Sequence, residues 1–575
     1  MDDEIDYSIP PLERLQQYIK STQDFMLIHC SECVIDCCSV ATIEQVHSIL
    51  IPAIKELLNN EDEEISDSML MMVPDFVDAL FDNFPDEAED LLTENVLPLV
   101  HDVATDQSEQ FAESFAALVV KLKTEYFTQK EVPFLQELSQ NDDEFTRLAV
   151  ANILLFLVEH ISPSLWINGL LAIISDLSSD SSEEIRTKIP PLIALYTKQL
   201  QSAREKTLLS AKFVLFIRDS SESVRVAAAE SLVTLCTSLD PSSNLVTVIP
   251  AARQLLNDQS ELTRTTMKKN IGPLVAQLGK QADRSLVSQY CNALFSTDAN
   301  VAYAAAYSFP AVAISIGPDR FDELRSGFDQ ASASREFMVR RTLAYGIIEY
   351  ATILGSEDLY EASMNFLKDI PSVAIGVLTN LDRIIEFFID KKEDFFFALQ
   401  NPKRFKEWRL RMEISKQLRK CQKYYKKEDL VEIAKQLVID DVWVVRNDAV
   451  NSFIDLMDED DIEFVGMLVN GKEYYIREEA ANIIRLLPED LLINNEIGII
   501  KALRKLSDDK VANVRIEAAK ATRVLLKIME DNEDLKELDE IFKNDIDVDV
   551  VYSINNDIED ENGGGDNEEE EEEGD

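Results

Sequence analysis

Apolar residues recur along this chain at helical spacing, in paired stripes parted by short polar turns. Phe213, Val214, Phe216 and Ile217 make one stripe, Asp219 to Ser223 a polar turn, and Val224, Ala227, Ala228, Leu232 and Val233 a second stripe. Spacing of i, i+3 and i+4 predicts two amphipathic helices joined by a tight bend. Ser and Asp in the bend can cap the free amides of the second helix, and Glu in its first turn complements the helix dipole. Period-two runs separated by hairpin dipeptides are missing from the sequence, so the pattern predicts an all-α chain.

This hairpin repeats. Arg147, Arg186, Arg225 and Arg264 stand 39 residues apart, each just after an acidic or Ser-rich turn: Asn141 to Arg147, Ser179 to Arg186, Asp219 to Arg225 and Asn257 to Arg264. The register continues, with slightly drifting spacing, at Arg340, Arg411, Arg446, Arg477 and Arg515. A charge that recurs at one register needs a recurring acceptor. The acidic turn of the adjacent repeat, one layer of about 10 Å away, supplies it, so an Arg-to-Asp ladder is expected.

Turns fall near Asp62, Asp106, Asp142, Asp180, Asp219, Asp258, Asp298, Ser334, Asp369, Lys406, Asp440, Gly471, Asp508 and Asp545. With one unit before the first, residues 1–556 read as an α-solenoid (superhelix) of about fifteen helical repeats, each packing only on its neighbours. At about 10 Å per layer such a stack is on the order of 150 Å long, a surface suited to protein partners.

Composition agrees with helices joined by short turns: 46% of 575 residues are hydrophobic, with only 15 Gly and 18 Pro. The charge narrows the partners. With 56 basic against 107 acidic residues, a net of −51, the chain is unsuited to a phosphate backbone, which is bound by Lys and Arg displacing counterions. Nucleic acid is therefore not expected. Residues 557–575 carry twelve acidic residues and no basic one, a composition that predicts a disordered acidic tail. Met1-Asp-Asp-Glu is not a basic-then-apolar leader, and the expectation is a cytoplasmic protein, or one also found in the nucleus. The apolar stretch Val301 to Gly317 is broken by Ser308, Pro310 and Ser315, and reads as a buried repeat helix rather than a membrane span.

Three chemical signals in the sequence are weak. Cys30, Cys33, Cys37 and Cys38 lie between His29 and His47, but on one helix Cys30 and Cys37 are about 10 Å apart along the axis, too far for one tetrahedral zinc. Spacing of i, i+3, i+7 instead makes Cys30, Cys33 and Cys37 one apolar face. Gly466 to Glu473 follows the phosphate-loop pattern until its last place, where Glu473 stands instead of Ser or Thr; Gly471 is expected to end a helix in the left-handed conformation. The four histidines, His29, His47, His101 and His160, form no nucleophile pair or motif, so no enzyme, metal or cofactor is expected.

Hairpins of about 39 residues with Asp, Val and Arg at the turn are of the HEAT type. Phe366 to Val373 with Asn380-Leu-Asp382 resembles the tenth repeat of the scaffold (A, 65 kDa) regulatory subunit of protein phosphatase 2A. Glu407 to Ile414 is similar to the eleventh, Asp441 to Arg446 to the twelfth, Asp509 to Lys520 to the fourteenth, and Asp547 to Val550 to the last. Pro10 to Tyr18 also resembles the first repeat of a phosphatase 4 regulatory subunit. The resemblance is specific in the C-terminal third and rests on repeat number and register elsewhere.

What the resemblance implies is a non-catalytic scaffold with two partners. A serine/threonine phosphatase catalytic subunit would sit on the turns of the late repeats, at Trp408, Arg409, Asp441, Trp443, Tyr474, Val511, Asp547 and Asp549. A variable (B-type) regulatory subunit would sit on earlier turns, at Asp62, Asp106, Asp143, Asp180, Asp219 and Asp258. Glu407 stands where the family has a basic residue, so one contact is expected to differ in sign; Ser182-Glu183 and Glu261-Leu262 replace turns that include Pro or Trp. Independently of the resemblance, Trp beside Arg is a common interface anchor. A karyopherin-like transport adaptor is the alternative. It favours Trp with Asn four residues later, seen only at Trp443 and Asn447.

Overall fold

The computed structural model describes residues 5–103, 109–158, 160–161, 169–353 and 356–556. Among these there is no strand; helices follow one another from Pro11 to Asn555. Asp106, Trp166 and the acidic tail 557–575 lie outside the described residues. The chain falls into two compact units, Met1–Phe328 and Asp329–Asp575.

In the first unit, helical hairpins stack through their second helices: Glu183–Gln199 packs on Glu222–Ser238, and that on Glu261–Leu278. Their inner faces are closed by fully buried aliphatic and small residues such as Ile189, Val224, Ala228 and Met267. The expected polar bend is present at each joint. Asp143 caps helix Glu144–Leu157 by accepting from the Thr146 amide at 2.9 Å, and Ser260 caps Glu261–Leu278 through Thr263 at 3.2 Å. Several first helices contain a feature not expected from the pattern. A π-turn spans Val46–Leu50, Leu92–Val96, Phe127–Glu131 and Asn244–Val248, each ending two residues before Pro52, Pro98, Pro133 or Pro250. Proline has no amide to give the preceding turn, and the helix widens there to rebond its carbonyls.

Cys30, Cys33, Cys37 and Cys38 are buried and free, packed as an apolar face of helix Asp24–Val40, and no metal-holding group occurs among the described residues. The stretch from Val301 is not one helix. It is two, Ala299–Tyr307 and Phe309–Ile316, bent by 49°, with Pro310 opening the second and Gly317 ending it at φ 84°. No single described helix is long and apolar enough to cross a membrane.

In the second unit, Trp408–Cys421, Trp443–Leu456, Tyr474–Leu486, Ala512–Ile528 and Val548–Asn555 are the second helices of successive hairpins. Gly376 allows the close approach of helix Pro371–Leu378 to Phe337–Tyr345: a Cβ there would stand 2.8 Å from the Tyr345 amide nitrogen. Gly471 departs from expectation. Among the described residues the glycines at positive φ are Gly279 and Gly317, so Gly471 is not left-handed. Its reason is steric, since a Cβ would meet the Ile476 side chain at 2.6 Å and the Leu468 carbonyl at 3.0 Å.

Candidate functional site

The turns are held by a repeated arrangement of one arginine and one acid. In the first unit Arg147 pairs with Asp180 at 2.7 Å, Arg186 with Asp219 at 2.8 Å and Arg225 with Asp258 at 2.8 Å. In the second, Arg340 pairs with Asp369, Arg411 with Asp440, Arg477 with Asp509 and Arg515 with Asp545, at 2.5 to 2.7 Å. Each of these pairs is two-pronged, Nε to one carboxylate oxygen and Nη2 to the other, as in Arg225 to Asp258. Nη1 turns the other way, to carbonyls six and five residues back, those of Asp219 and Ser220 for Arg225. One guanidinium thus closes the end of its own hairpin and clamps the next. The acid in turn accepts a backbone amide two residues on, as Asp258 does from Ser260 at 2.8 Å, except that Asp369 accepts from the adjacent Ile370 at 2.7 Å.

Two positions depart from the rule. Arg264 donates to the carbonyls of its own turn, Asp258 and Gln259, with no acid bound among the described residues. In the repeat after Arg446, Gly471 occupies the acid's place, six residues before Arg477, and Arg446 reaches Glu479 on the helix instead, at 3.0 Å. Arg446 and Glu479 are both buried, 5% and 3% exposed. Burial pushes the Glu479 carboxyl up, against its bonds from Asn482 and Arg446. In the regular pairs the Arg hydrogen bond holds the carboxyls of Asp219, Asp369, Asp509 and Asp545 below their ordinary value.

The ladder fixes which turn residue faces outward. The first helical residue lies three before each ladder arginine and is carried out of the stack. In the first unit it is Glu144, Glu183, Glu222 and Glu261, all exposed. In the second the same position holds Phe337, Trp408, Trp443 and Tyr474, then Ala512, and Val548 opens the final helix. Trp443 is 62% exposed, Tyr474 45% and Val548 78%. Trp408 is half-buried, with the Arg409 guanidinium 4.7 Å over its ring. So one geometric register is acidic in one unit and aromatic or aliphatic in the other.

The expected late-repeat residues therefore come together on the turns of one unit. Trp408 and Trp443 hold equivalent positions. Glu407 caps the Trp408 helix and lies 3.5 Å from the Arg409 guanidinium, so the residue that departs from the family's basic one is turned toward its own arginine. Asp441 is exposed and accepts from the Tyr475 hydroxyl at 3.3 Å, tying this turn to the next. Val511 and Asp547 are helix caps, half-buried, and Asp549 is exposed. Phe337, not picked out in the sequence, belongs to the same register; its place three before Arg340 is the signal that finds it.

The earlier acids separate into two kinds. Asp62 and Asp143 are exposed helix caps. Asp180, Asp219 and Asp258 are only 7 to 12% exposed in their side chains and are bound by arginine, so they cannot serve as free contacts for a regulatory subunit. The outward acids of these turns are the glutamates three or four residues further on. Asp106 lies outside the described residues.

No protein-family model matches the chain. Curated relatives do. The rat (Rattus norvegicus) serine/threonine-protein phosphatase 4 regulatory subunit 1 is 28% identical over 258 residues, 40% of this chain and 27% of that protein. The human (Homo sapiens) protein is 34% identical over 163 residues, 26% of this chain and 17% of that protein. The chain thus spans at most 27% of the length of these relatives. Among solved structures, a chain of the Kap95:Nup1 complex superposes with a TM-score of 0.57 at 10% identity, covering 95% of this chain and 83% of that one. A chain from the complex of Kap95p with RanGDP gives 0.53 at 11%, covering 96% and 79%. The fold is an all-α HEAT-repeat solenoid, and the resemblance to HEAT-repeat phosphatase regulatory subunits is borne out.

Proposed function

We propose that this chain is a non-catalytic scaffold that binds the catalytic subunit of a serine/threonine phosphatase on the turns of its second unit. The observation that carries the reading is the single register three residues before the ladder arginines, where Phe337, Trp408, Trp443 and Tyr474 open helices whose turns are each closed by their own arginine, that of Trp443 being clamped also by Arg411 of the repeat before. Aromatic side chains so held supply contact area with little further ordering, the composition of interface hot spots. Similarity to phosphatase 4 regulatory subunit 1 supports the choice of partner. The exposed glutamates of the first unit, Glu144, Glu183, Glu222 and Glu261, with the caps Asp62 and Asp143, are the proposed seat of a substrate-selecting (B-type) subunit that presents basic residues.

The test is a binding experiment with the purified full chain. A phosphatase 4 or 2A catalytic subunit should bind it at 1:1 stoichiometry, and the chain alone should release no phosphate from phosphopeptides. Failure of both catalytic subunits to bind, with capture of a basic transport cargo and release by a small GTPase, would replace this reading by the transport adaptor.

A further inference from the structure

In a chain with nearly twice as many acidic as basic residues, Pro402 to Lys427 is reversed: eleven basic residues against two acidic. Several are already used. Arg411 belongs to the ladder, Arg419 pairs with Asp448 at 3.2 Å, and Lys427 donates to the Met457 carbonyl at 2.9 Å. Arg409 lies 3.5 Å from Glu407 and over the Trp408 ring, but stays exposed. Arg409, Lys416 and Lys420 fall at i, i+7 and i+11 of helix Trp408–Cys421, within about 20° of one line at 100° per residue, and Lys423 continues it in the following turn. Lys416 is half-buried, Lys420 and Lys423 exposed, and none of the three forms an ion pair among the described residues. Lys423 lies 4.8 Å over the ring of Tyr424, and Glu386 and Asp382 lie near enough to act on it without pairing with it.

We propose that this basic stripe is the docking surface for the chain's own acidic C-terminal segment, Asp557–Asp575. The charges are complementary, four cations in line against twelve acids with no base among them. The lengths agree: Arg409 to Lys420 covers about 16 Å of helix axis, and the run Glu568 to Glu573 covers about 20 Å when extended. Reach is sufficient. The last helix, Val548–Asn555, is four hairpin layers on from Trp408–Cys421, about 40 Å, and the twelve residues from Asp557 to Glu568 span up to about 40 Å when extended, just enough to bring the glutamate run to the stripe. One end of the stripe is Arg409, beside Trp408, so a docked tail would lie next to the proposed phosphatase contact.

The docking needs no phosphatase, and can be tested without one. Lysine acetylation rates, read by mass spectrometry on the full chain at low salt, should be roughly fivefold slower at Lys416, Lys420 and Lys423 than in a full-length variant with Glu568 to Glu573 replaced by Gln. Lys269 and Lys510 should label alike in both. The protection should vanish at about 0.5 M salt. In the variant K416E/K420E, at one half-buried and one exposed position outside the core, the tail should be cut several-fold faster by a glutamate-specific protease. Equal labelling with both tails, protection shared by Lys269 and Lys510, or a tail cut no faster in K416E/K420E would overturn the proposal.

Discussion

Arg411→Met is expected to destabilise the second unit by about 3–5 kcal/mol, the cost of leaving one member of a buried pair alone. Arg411 and Asp440 are 8% and 4% exposed. The substitution removes two bonds to Asp440, at 2.6 and 2.9 Å, and two to the Phe405 and Lys406 carbonyls, at 2.8 and 3.0 Å. Asp440 then keeps the Val442 amide at 3.0 Å and little else. Denaturant unfolding should show the loss as a lower midpoint. The pair Arg411→Met with Asp440→Leu should recover more than half of it, because the stranded charge is gone. Exposed Arg409→Met should change stability by less than about 1 kcal/mol.

Acid should act on the same ladder. Asp219, Asp369, Asp509 and Asp545 hold their protons less readily folded than unfolded, so their contribution is present above about pH 4 and is lost as pH falls through the lowered values. Glu479 has the opposite sign: raised by burial, it adds stability as pH falls through its value. The second unit should therefore hold or gain slightly before it unfolds in acid.

Trp443→Ala should weaken binding of the catalytic subunit by roughly 30-fold or more, a hot-spot cost of about 2 kcal/mol or above, while leaving helical content and unfolding midpoint unchanged. Separation of the two effects follows from exposure. The ring is 62% exposed on the first residue of its helix, whereas the residues that hold that helix, Val445, Ala449, Val450 and Phe453, are fully buried. Titration calorimetry on the full chain reads the first effect and circular dichroism the second. Glu222→Ala, the same register in the first unit, should leave this affinity as it was.

The arginines were legible because a polar residue repeating at one register has few structural explanations besides a repeated partner. Which acid was the partner was less legible. Asp180, Asp219 and Asp258 read as outward contacts, yet the chain turns them into the stack two residues before each helix cap, and the following glutamates face solvent. Sequence position alone cannot separate two acids two or three residues apart in a turn. Gly471 differs for a related reason: a helix-ending glycine is commonly left-handed, but this one is set by the Ile476 side chain five residues on, a steric contact that the choice of turn residues does not signal. The π-turns before Pro52, Pro98, Pro133 and Pro250 do have a signal, a proline recurring within the first helices. Composition and resemblance point to Trp408 and Trp443, whereas Phe337 stands out only in the register that the ladder sets.

Amide hydrogen exchange on the full chain, with and without a phosphatase catalytic subunit, puts the question to every turn at once. Slowed exchange at the turns that carry Trp408, Trp443 and Tyr474, with the turns of Glu144, Glu183, Glu222 and Glu261 unchanged, is the predicted result. Protection confined to the glutamate turns, or spread over the backs of the hairpins with the aromatic turns untouched, would contradict it.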